Sequence, residues 1–236
     1  MKKIEFKFNY SNLKVALPDQ AGESVLAEIF KEREYKIAEP VITLAKEPIL
    51  DVGAHVGLFS MYARILNPDV LICALEPEKN NFELLQANIK ENKLKNIKVS
   101  NLALGGRTEK INLIISSDSH NHHLQGAPEI IKEKVEESAI QLVQSYSLRD
   151  FLNQEKINFI SLLKMDIEGG EYDVFSACMP ADFARIKYVI MEYHNYGGLH
   201  YKALETQLRE HGFGVQIFPS KFDKRMGFIF ARNKRV

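Results

Sequence analysis

The hydrophobic pattern changes period along the chain. At the N-terminal end, KIEFKFNY and LKVALP alternate apolar and polar residues on either side of a short SN break. That alternation predicts two strands joined by a tight turn. GESVLAEIFKEREY follows, with Val25, Leu26, Ile29 and Phe30 at helical spacing on one face. Pro40 and Pro48 interrupt what comes next. Residues 1–47 are too few to hold a core of their own, so they read as a hairpin-and-helix cap on a main domain spanning 48–236.

From Ile49 onward, short apolar runs alternate with amphipathic stretches. The runs are ILDVG, VLICALE, IKVSNLAL, ISLLKMD and KYVIMEY, and between the first three lie GLFSMYARILN and NNFELLQANIKENK. A run apolar on both sides suits a strand covered on both faces of a sheet. Strand–helix–strand repetition then predicts a doubly wound α/β fold with a mostly parallel sheet. KINLIIS and AIQLVQSY break this rhythm as extra strands around the polar loop SDSHNHHLQGAPE. Ser147 is placed to cap LRDFLNQ, and YKALETQLREHG is an amphipathic helix stopped by Gly212. VQIFPS and GFIFARN, separated by a charged turn, predict an antiparallel pair.

Composition narrows the function classes. Hydrophobic residues make up 45% and charged residues 26%, which excludes a disordered chain or a fibrous repeat. Lys+Arg and Asp+Glu are both 31, so the chain lacks the basic field of a nonspecific nucleic-acid binder, and no nucleic-acid partner is expected. Cys73 and Cys178 sit in apolar surroundings without zinc spacing, and read as buried free thiols of a reducing compartment. MKKIEFKFNYSNLKV has no apolar core of a signal peptide, and no apolar run approaches the roughly 18 residues of a membrane span. The expectation is a cytoplasmic protein with no membrane contact; its oligomeric state is open.

The strongest chemical motif is LDVGAHVGLFS. Asp51 ends a strand, and Gly53 and Gly57 lie in the turn that opens a helix, at the sheet edge where open α/β folds bind ligands. The spacing is neither G-x-G-x-x-G nor that of a phosphate loop. An acid here repels a pyrophosphate and suits a cationic ligand such as a sulfonium or an amine. Glu76 ends the next run, at the end of the second strand, where a carboxylate can accept both ribose hydroxyls.

These residues resemble a class I S-adenosylmethionine-dependent methyltransferase. EPEKNNFELLQANIKEN, NLALGG, KMDIEGGEYDVF and VIMEYH, in that order, resemble the FkbM family of O-methyltransferases over roughly residues 48–195. The chain has His55 where that family more often has Asn. The resemblance implies a Rossmann-like seven-stranded sheet and S-adenosylmethionine as cofactor. It implies that Asp51, Gly53, His55 and Gly57 hold the methionine end, that Glu76 takes the ribose, that Asn101 and Ala103 lie by the adenine, and that Asp166 belongs to the cofactor-binding set as well. Tyr35 is a candidate lid residue on the same ground.

The acids Asp166, Glu168 and Glu171 crowd the end of ISLLKMD, and their joint desolvation calls for a nearby cation: the sulfonium, Lys164 or a metal ion. Glu171 also suits the first turn of a helix. Alternation sends Glu192 and His194 of MEYH to one face, beside Asp166. His194 has the side chain best suited to a general base near neutral pH, and His194, Asp166 and Glu192 form the candidate catalytic set. His120, His122 and His123 read as part of a loop over the cleft rather than a metal site. The expected activity moves a methyl group to a hydroxyl of a small metabolite, sugar or polyketide-like, with no metal site. Mg²⁺ is not expected, the alternatives being a Mg²⁺-dependent methyltransferase of this fold or a non-catalytic nucleoside-binding module. A nicotinamide oxidoreductase is disfavoured by the missing third glycine.

Overall fold

A computed structural model of the chain describes residues 1–115, 123–124 (backbone), 140–195, 198–221, 223 and 225–236. The N-terminal hairpin pairs β1 (Lys2–Phe8) with β2 (Ser11–Leu17) in antiparallel register, Phe6 opposite Leu13 and Phe8 opposite Ser11. The turn is Asn9–Tyr10, two residues before the SN break the sequence pattern favours. Asn9 takes the left-handed conformation, φ 51, that asparagine tolerates, and this register keeps Phe8, Leu13, Val15 and Leu17 buried. Asp19 caps α1 (Gln20–Ala27) by accepting from the Gly22 amide at 3.0 Å. The single predicted helix is broken: a π-turn over Glu28–Glu32 and a 3-10 segment over Glu34–Ala38 meet at Arg33, φ 56. α2 (Glu39–Leu44) closes the cap.

The main sheet uses β3 (Ile49–Val52), β4 (Ile72–Leu75), β5 (Ile97–Ser100), β10 (Ile160–Met165), β11 (Ile186–His194), β12 (Phe213–Pro219) and β13 (Met226–Asn233). Their spatial order is β12-β13-β11-β10-β3-β4-β5, with β13 antiparallel to both neighbours and the other pairings parallel. α3 (Leu58–Leu66) and α4 (Lys79–Glu91) connect the early strands, and α5 (Leu148–Gln154), α6 (Glu171–Ala177), α7 (Pro180–Phe183) and α8 (Tyr201–Glu210) belong to the later half. Every residue of β3, β4 and β10 is buried, the result of layers on both faces. Alternation divides them. Leu50, Val52, Leu75, Leu163 and Met165 pack with Phe151, Phe175 and Phe183 on one face. Ile49, Ile72, Leu162 and Ile190 pack with Phe59, Met61 and Tyr62 of α3 on the other.

The cap joins the second of these cores. Phe8 and Phe30 sit 5.1 Å and 5.7 Å from the Tyr62 ring. Asparagine amides fasten it further. Asn88 accepts from the Ala16 amide at 2.7 Å and donates to the Ala16 and Val56 carbonyls, and Asn92 pairs in the same way with Lys14. Asn67 donates to the Ile42, Thr43 and Ala45 carbonyls at the end of α2. A side-chain amide reproduces the donor and acceptor of a neighbouring strand, so the edge of β2 is satisfied by a helix.

IKVSNLAL does not form one strand. β5 stays in the main sheet, whereas β6 (Ala103–Leu104) joins β7 (Glu109–Ile114), β8 (His123–Leu124) and β9 (Ile140–Tyr146) in a second sheet of order β6-β9-β7-β8. Asn101 makes the bend between them, donating to the Glu76 and Pro77 carbonyls at 2.9 Å each. Ser147 caps α5 through the Asp150 amide, as its position predicts. Cys73 is buried and Cys178 half-buried, and both are free thiols. Among the described residues no helix is long and apolar enough to cross a membrane.

Candidate active site

A cavity of about 400 Å³ opens at the carboxyl edge of the parallel strands, where the order reverses between β3 and β10. Its floor is the β3–α3 turn. Gly53 has φ 71, and a Cβ built there would stand 1.9 Å from the Asp166 carbonyl oxygen. Only glycine lets the turn lie this close to the tip of β10. Gly57, φ 89, serves a different contact: a Cβ there would meet Leu85 of α4 at 2.4 Å, and the residue is not on the cavity wall.

Asp51 also lies behind the wall. It is fully buried, with Oδ2 accepting from Ser60 Oγ at 2.6 Å and Oδ1 3.3 Å from Lys164 Nζ. The register of β10 on β3 sets Lys164 directly opposite Asp51. Lys164 then donates to the Gly53 carbonyl at 2.8 Å and lies 3.8 Å from Asp166. The acid at the strand end thus anchors a buried lysine that braces the glycine turn; it does not reach the cavity.

Glu76 does reach it. Its side chain lines the cavity at the tip of β4, 5% exposed, with Oε2 accepting from the His55 amide at 2.8 Å and Oε1 from the Glu78 amide at 2.9 Å. Burial pushes its carboxyl up to about 7, against the two amide hydrogen bonds that favour the charged form. His55, φ 50, is on the wall beside it. Ala103 lines the cavity with Leu102, Leu104 and Leu113, forming an apolar slot. Asn101 is exposed and off the wall; its amide serves the bend that presents Ala103.

Across the cavity stand Asp166, Glu168 and Glu192. Glu168 takes the left-handed conformation, φ 53, in the loop before α6. Glu171 is fully buried beneath that loop and accepts from the Ile167 amide at 2.8 Å, so it closes the loop in addition to starting the helix. Burial and the charge of Asp166 hold both Glu168 and Glu192 well above the ordinary carboxyl range. His194 stands behind them, 2% exposed, its Nε2 3.5 Å from Glu168 and 3.9 Å from Glu192. It does not line the cavity, and burial lowers its basicity. The shared face predicted for Glu192 and His194 brings them together, but the wall is made of carboxylates.

The cap supplies a wall that the sequence pattern does not single out. Val25, Glu28, Glu32 and Glu34 face the cavity from α1 and the irregular turns after it, and Tyr35 is buried between Phe59 and Phe228 at ring distances of 4.8 Å and 5.7 Å. The glutamates of EIFKERE give the available signal, because they recur on the side of the helix next to its apolar face. Ser220, Asp223 and Met226 add a rim from the β12–β13 turn. Among the described residues no group of three or more His, Cys, Asp or Glu is arranged to hold a metal ion. His120 and His122 lie outside the described residues, as does the side chain of His123.

The family model described as the methyltransferase FkbM domain matches residues 51–215. The 31-O-demethyl-FK506 methyltransferase FkbM of Streptomyces tacrolimicus is 26% identical over 227 residues, covering 83% of this chain and 84% of its own. Methyltransferase sdnD of Sordaria araneosa is 24% identical over 219 residues, covering 82% and 83%. Among solved structures, the N-terminal domain of human METTL16 aligns with a TM-score of 0.53 at 13% identity, over 94% of this chain and 75% of that one, a likeness of fold alone. Matched from the glycine turn through the strand tips that line the cavity, the chain belongs to the methyltransferase FkbM domain family and has the α/β fold of class I methyltransferases.

Proposed function

We propose that this chain is an S-adenosylmethionine-dependent O-methyltransferase acting on a hydroxyl of a small metabolite. One observation carries the reading: a buried carboxylate, Glu76, is fixed by two backbone amides at the strand tip next to a glycine turn and faces the cavity. Each of its oxygens keeps a lone pair for a ribose hydroxyl. The slot around Ala103 suits a flat base, and the Gly53 backbone on the cavity wall suits the amino-acid portion of the cofactor. When bound, the cofactor supplies a methyl group already activated by its sulfonium. The task of the protein is then alignment, exclusion of water and acceptance of one proton.

Glu76 and Gly53 mark the cofactor side. The acceptor side is bounded by Asp166, Glu168, Glu192 and the cap. There Glu192 and Asp166 are the groups within reach of a substrate hydroxyl, and His194 acts as a positioning residue through Glu168 and Glu192, 3.5 Å and 3.9 Å from its Nε2. The acid-lined wall favours a cationic nucleoside over a dinucleotide, whose pyrophosphate it repels. The relative from Streptomyces tacrolimicus is named for methylation at an oxygen, which supports the hydroxyl as acceptor. Calorimetry tests the reading: S-adenosylmethionine is expected to bind and NADH not to, and the reverse result would overturn it. With tritiated donor, transfer to hydroxylated metabolites is expected to be lost in Glu192→Gln.

A further inference from the structure

Carboxyl groups reach the acceptor side of the cavity from three elements: Asp166 and Glu168 after β10, Glu192 on β11, and Glu34 in the cap. Glu168 and Glu192 converge on one point, with carboxyl oxygens 3.5 Å and 3.9 Å from Nε2 of His194. The lysine on this wall, Lys164, is engaged with the Gly53 carbonyl and Asp51 and touches the cluster only through Asp166. The other charged or titratable neighbours are Glu171 under the loop, held to the Ile167 amide, and Asp223, paired with Arg225 on the opposite rim. His194 stands behind the cluster, and Glu28 and Glu32 stand on the cap side. Tyr35 and Tyr172 are neutral neighbours, the latter donating to the His194 carbonyl. Among the described residues no lysine or arginine pairs with Glu168 or Glu192. Two carboxyls that converge on one buried imidazole, with no lysine or arginine between them, cannot both ionise, and Glu168 and Glu192 titrate as a unit.

We propose that Glu168 and Glu192, beside Asp166, share a proton that this cluster releases when the sulfonium of S-adenosylmethionine binds, and that the same pair accepts the hydroxyl proton of the acceptor during methyl transfer. This rests on the methyltransferase reading above. The acceptor oxygen forms the new C–O bond with its own lone pair, the C–S bonding pair returns to sulfur, and the O–H proton passes to a carboxylate of the cluster. Charge balances: a sulfonium and a carboxylate are replaced by a neutral thioether and a neutral carboxyl group. The cluster becomes a stronger base as the sulfonium charge disappears, so its proton affinity rises during the step that liberates the proton.

The methyl donor and its demethylated product, S-adenosylhomocysteine, differ in this charge, which makes them a matched pair. Binding of each to the whole protein is measured calorimetrically near neutral pH in phosphate and in Tris, and the dependence of enthalpy on buffer counts protons. S-adenosylmethionine is expected to release on the order of half a proton more than S-adenosylhomocysteine. Glu168→Gln and Glu192→Gln are each expected to shrink that difference while both nucleosides still bind. Equal proton counts for the two nucleosides in the wild type, or an undiminished difference in both variants, would overturn the proposal. Failure of either nucleoside to bind at all would instead overturn the cofactor reading on which it rests.

Discussion

A methyl group at position 53 has no room. Its Cβ would stand 1.9 Å from the Asp166 backbone oxygen, just past the end of β10, at a φ of 71 that L side chains rarely adopt. Gly53→Ala is therefore expected to lower the urea midpoint by an amount equivalent to about 2 kcal/mol or more, and to weaken nucleoside binding with it. Glu76→Gln tests the cofactor side: glutamine keeps one acceptor oxygen, so one of the two backbone amides, of His55 or Glu78, loses its partner. The loss of charge-assisted hydrogen bonds is expected to weaken S-adenosylmethionine binding by roughly tenfold to a hundredfold in calorimetry, with a fall in the urea midpoint equivalent to about 1–2 kcal/mol. Legibility is uneven at this scale. Glu76 and Gly53 are readable from their places at a strand end and in a turn. Asp51, equally suggestive in sequence, turns inward because β10 sets Lys164 opposite it, and Gly57 answers to Leu85. A linear pattern places a residue at a strand tip, but the facing direction depends on a neighbouring strand.

The elements were largely readable, since β3, β4, β10 and β11 are continuous apolar runs and α3 and α4 have clear helical periodicity. IKVSNLAL misleads because two strands of different sheets adjoin with only Asn101 and Leu102 between them, and the bend is made by a side-chain amide, which leaves no break in hydrophobicity. The helix after Asp19 misleads for the opposite reason: its apolar positions continue through a π-turn, whose extra residue is invisible in composition. The attachment of the cap is a property of α4. Asn88 is 2% exposed and makes three hydrogen bonds to backbone groups of Ala16 and Val56. Asn88→Ala leaves those groups without their partner and is expected to cost about 2–3 kcal/mol, read as a lower urea midpoint together with faster hydrogen exchange of the Ala16 amide.

At the scale of the molecule, the buried acids make stability depend on pH. The carboxyls of Glu76 and Glu171, ordinarily near 4.5, are raised by burial to about 7. Between these values the folded chain holds protons that the unfolded chain has lost. Their contribution is fully present below 4.5 and is lost as pH rises through about 7. His194, lowered by burial, works in the other direction as a single group. The urea midpoint is expected to fall from mildly acidic to mildly basic pH, by an amount equivalent to a few kcal/mol. Saturating S-adenosylmethionine is expected to flatten that fall, because a cation in the cavity stabilises the ionised acids; an unchanged slope with bound nucleoside would contradict the cationic-ligand reading.

The sequence alone determined the doubly wound α/β class, the glycine turn, the acid at the second strand tip and the family. All of these are carried by residues close together in the chain, where period and turn chemistry act locally. Tertiary structure decided which acids face the cavity, that His194 stands behind a wall of carboxylates, and that the cap closes one side. Those outcomes depend on register between parallel strands and on side-chain amides binding distant backbone, contacts that join residues far apart in the chain and leave no periodic trace in it.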